Sequence, residues 1–216
     1  RGPHSSPADP RHHDGETSVR PVVLDFETEF YDDYSLTRET TESYIRHPRF
    51  KAHGAAIKWA PNEPAIWYDE RELRWQLQEE DWSDVFLLCH HQHFDGLILS
   101  HHYGVVPAMY GCTLSMARLL LGNHLSVSLD NVRQHYGMPL KRTPYHKFKN
   151  RTWAQLDQAT REELGEGACD EVESIWHLFA NHLAPNFPAE EYDVVDMIVR
   201  MFTQPVLKGD IQVLSD

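Results

Sequence analysis

The sequence predicts an α/β domain of three layers, with helices on both sides of a sheet. Two short apolar runs, 21–26 (PVVLDF) and 85–89 (VFLLC), have the continuous hydrophobicity of strands buried on both faces. Strand-like segments come early and helical periodicities late, with a βββαβα-like opening. A length of 216 residues suits one domain whose core stands without disulfide or metal staples.

Residues 1–20 are rich in Pro, Gly and Ser and read as a flexible tail before a domain that starts at Pro21. The first strand follows, then a short helix over 41–46 that Pro48 stops. Segments 52–60 and 64–69 flank Pro61-Asn62-Glu63 as a hairpin. Residues 70–80 read as a helix and 85–89 as the second buried strand. Helices are expected at 95–102, 113–121 and 128–136, the last ended by Gly137 and Pro139. Beyond a loop at 140–152, Thr160-x-x-Glu163 resembles a capping box opening a long helix to residue 184. Val172, Ile175, Trp176, Phe179 and Leu183 form its apolar stripe. A last helical pattern spans 188–203, and no segment repeats.

Acids outnumber bases 33 to 20, a net charge of −13, which argues against a protein that coats phosphates with Lys and Arg. Apolar residues at 41% and charged residues at 25% are globular values. Three widely spaced cysteines without a CxxC suit a reducing compartment. No apolar stretch approaches the roughly 18 residues of a spanning helix, and no signal-peptide core is present. The expectation is a cytoplasmic protein with no membrane partner.

The carboxylates carry the chemistry. Asp25 and Glu27 close the first strand two residues apart, so alternation puts both on one face and Phe26 on the other. Side by side on a core strand they repel unless a cation or proton lies between them; on a strand that has ended they are simply solvated. Asp95 follows the second strand where a helix begins, and alone reads equally as a cap. Asp170 lies on the polar face of the long helix with Glu166 four residues before it. Together, four oxygen ligands from strand ends and one helix suit a pair of divalent ions, Mg²⁺ or Mn²⁺, of the kind that cleaves phosphodiesters.

Three segments resemble the motifs of the DEDD (DnaQ-like) 3′–5′ exonucleases: Val23-Leu24-Asp25-Phe26-Glu27-Thr28-Glu29, His90-His91-Gln92-His93-Phe94-Asp95, and Cys169-Asp170-Glu171-Val172-Glu173-Ser174. The flanks Thr41-Glu42-Ser43-Tyr44-Ile45 and Arg200-Met201-Phe202-Thr203-Gln204-Pro205 are similar to proofreading domains of bacteriophage family-A DNA polymerases. The resemblance implies an RNase H-like fold with a mixed five-stranded sheet over 21–185, and a helical extension over 186–216 leading toward a polymerase part or subunit. It implies that Asp25, Glu27, Asp170 and Asp95 ligate two divalent cations, Mg²⁺ or Mn²⁺. Removal of nucleoside monophosphates from single-stranded or frayed DNA 3′ ends, in proofreading, would follow; a ribonuclease of the same fold and an inactive scaffold are the alternatives. The chain stops near Arg200–Thr203, as an excised domain or separate subunit would, in the cytoplasm of a bacterial host if phage-encoded.

The family places a Tyr four residues, or a His five residues, before its last Asp; here Glu166 and Gly165 stand there, and an alternative register with Glu171 as the ligand leaves Gly167 at the Tyr position. Glu166 is the expected substitute for orienting the attacking water, with Tyr145 or a histidine of 90–93 as other candidates. The histidine cluster reads as structural or substrate-contacting rather than as a zinc site. Residues 141–151 (KRTPYHKFKNR) hold five bases and no acid, with Tyr145, Phe148 and Trp153 interleaved, a composition suited to tracking a single strand and equally to a solvated loop. Phe26, Thr28, His91, Phe94, Lys141, Arg142, Tyr145, Lys147 and Lys149 are the expected substrate contacts.

Overall fold

The apolar run at 21–26 forms the middle of the sheet. The computed structural model describes residues 19–141, 143, 145–207 and 209. Its sheet is mixed and five-stranded in the order β3-β2-β1-β4-β5: β1 Arg20–Thr28, β2 Ala52–Lys58, β3 Ile66–Asp69, β4 Val85–Cys89 and β5 Met109–Cys112. β1 pairs antiparallel with β2 and parallel with β4, which explains its buried Val22, Val23 and Leu24; β4 is buried throughout. The helices are α1 Thr41–Arg46, α2 Glu70–Glu79, α3 Gln92–Tyr103, α4 Thr113–Leu121, α5 Leu129–His135, α6 Gln158–Leu178 and α7 Ala189–Thr203.

The Phe26 ring stacks on Tyr103 of α3, whereas Asp25 and Glu27 turn toward α6, so the two helices cover opposite faces of β1. α6 begins earlier than the Thr160-x-x-Glu163 pattern suggests. Asp157 caps it by accepting from the Thr160 N–H at 2.8 Å, and a π turn at Phe179–Leu183 extends it. Lys58, buried on β2, pairs with Glu173 at 3.0 Å and ties α6 to the sheet.

The start of the domain and its edge differ from expectation. Arg20 already belongs to β1, pairing with Glu80 and Asp84, and Val19 is buried ahead of it; the rest of the 1–20 tail lies outside the described residues. Residues 109–112 are too few to show a period in the sequence. They form edge strand β5, whose Tyr110 N–H donates to Asp196 Oδ1 of α7 at 2.8 Å. Tyr192, Val195, Val199 and Thr203 bury α7 on this same domain against α3 and β5, leaving Met197, Ile198 and Met201 exposed.

β1 and β2 slip register where Glu27 faces Gly54 and Thr28 faces Ala52, so His53 is the extra residue of a bulge beside the acid pair. Its ring is buried near Trp153, neither nitrogen has a hydrogen-bond partner, and burial lowers its pKa to about 4. The unfolded chain therefore binds a proton below pH 6.5 that the folded chain refuses until about pH 4, so His53 removes stability as pH falls through that window. Relative to wild type, His53→Leu is expected to gain about 1.4 kcal/mol per pH unit below 6.5 in urea denaturation. A pH-independent difference would refute it.

Candidate active site

Three elements bring their acids to one place at the carboxyl end of β1. Asp25 and Glu27 come from the strand itself. Asp95 sits in the first turn of α3, fully buried, and accepts the Phe26 N–H at 3.1 Å, which fixes it to the end of β1. The fourth acid is Glu171 of α6, 3% exposed, among the buried Leu164, Ala168, Ile175 and Leu178 of the same helix face.

The electrostatics show how closely these groups act on one another. Burial, then Glu171, Asp95 and Glu27, hold the Asp25 carboxyl well above the usual carboxylate range. Burial and Glu171 push Glu27 up to about 8 against the opposing pull of Lys141 and Tyr145. Burial raises Asp95 to about 7, although the Phe26 N–H favours its charged form.

Two groups from the 139–149 segment answer this charge. Lys141 Nζ pairs with Glu171 Oε2 at 2.5 Å. Burial draws the ammonium pKa down, but Glu171, Asp25 and Glu27 outweigh it and raise it. The Tyr145 hydroxyl is shared between Glu27 Oε1, at 3.2 Å, and Glu171 Oε1. Burial and the surrounding carboxylates raise its pKa, so it stays a neutral donor. The segment can lie this deep because α6 presents Gly167 to it: a Cβ there would stand 2.1 Å from Thr143 Oγ1.

Asp170 and Glu166 are placed elsewhere. Asp170 is exposed and pairs with the buried Arg133 of α5 at 2.9 Å, while the Arg133 Nε donates to Pro139 O at 2.6 Å. Glu166 lines a cavity of about 520 Å³ with Asp170, Arg133 and Thr143, and neither acid is among the charges that shift Asp25, Glu27 or Asp95. Of the two registers open at the third motif, the structure brings Glu171, and not Asp170, beside the other three acids. The available signal was the helical period: position 171 falls in the apolar series 164, 168, 175, 178, where a lone carboxylate needs a partner.

The expected substrate contacts divide. The Phe26 ring is core, 4% exposed, so only its N–H serves the site. Phe148 is also core, with Leu156 and Leu164. Lys147 pairs with Glu163 at 2.8 Å and Lys149 with Asp32 at 2.5 Å, so the lysines of the basic loop tie it to its own domain; Arg142 lies outside the described residues. Thr28 hydrogen bonds Tyr44, Phe94 lies against Tyr44, and the exposed His91 stacks on Phe94, giving an aromatic ledge beside Asp95. His90 is buried between Thr113 and Val127 O, a structural link.

Four hard oxygen donors in a buried, mutually repelling set have the chemistry of a divalent-cation site. In this conformation no group of three or more His, Cys, Asp or Glu among the described residues is arranged to hold a metal; Lys141 and Tyr145 bridge the acids instead. The raised carboxylates bind protons that the unfolded chain has released above pH 4.5, so in metal-free protein they take stability away as pH rises toward 8. Glu27→Gln is expected to gain on wild type by about 1–3 kcal/mol between pH 5 and 8 in EDTA, measured by chemical denaturation. A constant difference would show that burial and Glu171 do not raise the Glu27 carboxyl.

No family model and no curated protein matches the sequence. Among solved structures, RNase D from Trypanosoma brucei is 13% identical, aligned over 88% of this chain and 69% of that one, with a TM-score of 0.63. Brucella melitensis NrnC bound to pGG is 15% identical over 86% of this chain and 84% of that one, with a TM-score of 0.56. The same NrnC with bound Mg²⁺ is 16% identical over 86% and 82%, at 0.51. At these identities the likeness is one of fold: the mixed sheet flanked by helices is the RNase H-like fold that this chain has in common with those nucleases.

Proposed function

We propose that this protein is a metal-dependent 3′–5′ exonuclease acting on single-stranded ends, with RNA as its substrate. The observation that carries the reading is the convergence of Asp25, Glu27, Asp95 and Glu171 on one buried point. These four residues would hold the divalent cation or cations, Mg²⁺ or Mn²⁺, which when bound supply a charge that polarises a phosphodiester and acidifies a water. Oligonucleotide substrates are supported by the neighbours: the trypanosomal RNase D is also known in complex with RNA U12, and NrnC with pGG and with Mg²⁺. DNA proofreading beside a polymerase rests on the sequence resemblance alone.

The chain's own residues divide the remaining work. The Tyr145 hydroxyl, protonated and aimed between Glu27 and Glu171, orients a water by donating or accepting a hydrogen bond, in place of Glu166. His91 and Phe94 stack the terminal base, and Thr28, braced by Tyr44, lines the path. Arg133 and Asp170 keep the 139–149 segment docked through Pro139.

The test is a ladder assay on 5′-labelled RNA and DNA oligonucleotides with Mn²⁺ or Mg²⁺. Wild type is expected to shorten RNA one nucleotide at a time, releasing monophosphates. Asp25→Asn and Glu171→Gln should abolish this, Tyr145→Phe should slow it by about 10²-fold, and Asp170→Asn should retain most of it. Faster cleavage of DNA than RNA would restore the proofreading reading, and no cleavage with either metal would leave a scaffold.

A further inference from the structure

Among the described residues, the cation that meets the acid cluster is Lys141. Lys141 reaches it on a four-carbon stem, pairs with Glu171 at 2.5 Å, and is also felt by Asp25 and Glu27. Its backbone is fixed separately: the Lys141 N–H donates to Asp130 Oδ1 at 3.0 Å, and Thr143 seats over Gly167. The anchors therefore hold the main chain in place independently of the ammonium, which pairs with Glu171 and lies over the Tyr145 ring at the end of a flexible stem. Among the described residues this one ammonium, paired with Glu171, faces four acids that converge from β1, α3 and α6. A divalent ion would neutralise them better and would repel an ammonium at the same oxygens.

We propose that Lys141 is a tethered counter-cation that competes with divalent metal for the acid cluster, an autoinhibitory contact that keeps the site closed until metal displaces it. The inference rests on the metal-dependent reading above. Only the Lys141 side chain has to leave. The Tyr145 hydroxyl is a neutral donor compatible with a charged neighbour, and its segment stays held by Lys147–Glu163 and Lys149–Asp32. The 24% exposure of the Lys141 side chain gives it a route outward.

Two measurements decide this without reference to activity. By calorimetric titration with MnCl₂, Lys141→Gln is expected to bind Mn²⁺ about ten-fold or more tightly than wild type, and Lys141→Arg about as wild type does. In wild type, the rate at which an acetylating reagent modifies Lys141, read by peptide mass spectrometry, should rise several-fold on adding Mn²⁺, with Lys147 and Lys149 unchanged as internal controls. Equal or weaker Mn²⁺ binding by a folded Lys141→Gln, or Lys141 labelling that does not rise with Mn²⁺, overturns the competition while leaving the metal reading intact. Should Lys141→Gln fail to fold, the labelling of wild type decides alone. Absence of Mn²⁺ binding in both proteins overturns the metal reading and the competition with it.

Discussion

Four carboxylates that cannot separate are the constraint around which this molecule is arranged. Asp25 and Glu27 are fixed by pairing to Ala56 and Gly54 of β2, on a strand whose earlier residues also pair with β4, so neither can retreat. Asp95 is held to that strand by a backbone N–H, and Glu171 lies on the buried face of the helix that covers it. Moving any of them would cost sheet pairing or core contacts, so the repulsion is answered by bringing positive charge and hydrogen-bond donors in. The course of the 139–149 segment follows: its Lys and Tyr are driven inward, and its remaining lysines are tied down on the surface of the same domain.

The layers and most elements were legible because they are written in hydrophobic period. The two continuous runs became the central parallel pair β1 and β4, and the helix at 113–121 has the bounds its pattern gives. β5 was not legible, since four residues including a glycine carry no period and owe their place to pairing with β4 and to the cover of α7. The strand acids were legible from alternation, whereas the helix acid was assigned by resemblance against the period. Asp170 lies on the solvent side, as its angle from the apolar stripe already implied, and the buried position belongs to its neighbour Glu171. Where a motif and a helical period disagree by one residue, the period reports which side chain is buried.

The basic loop is the converse case. Five bases without an acid look like a phosphate track, but a run of like charge is informative only against what it folds onto. Here its three lysines pair with Glu171, Glu163 and Asp32 of the same domain. The net charge of −13 is therefore not relieved by a free basic patch among these lysines. Under the proposed function, affinity for a polyanion would rest on cations held at the acid cluster and on stacking against His91 and Phe94 rather than on these lysines.

The glycines of α6 connect these points. A tyrosine borne on the helix four residues before Glu171 would have stood at position 167, where even a Cβ collides with Thr143. The chain instead leaves that position bare and brings a phenol hydroxyl to the acids from a loop, in contact with Glu27 and Glu171. Chemically the same kind of group reaches the site; mechanically it arrives on a segment that also carries Lys141. A helix-borne hydroxyl is positioned by the fold alone. A loop-borne one is positioned by the fold and by the charge it helps to balance, which makes the acids the reason the loop is where it is.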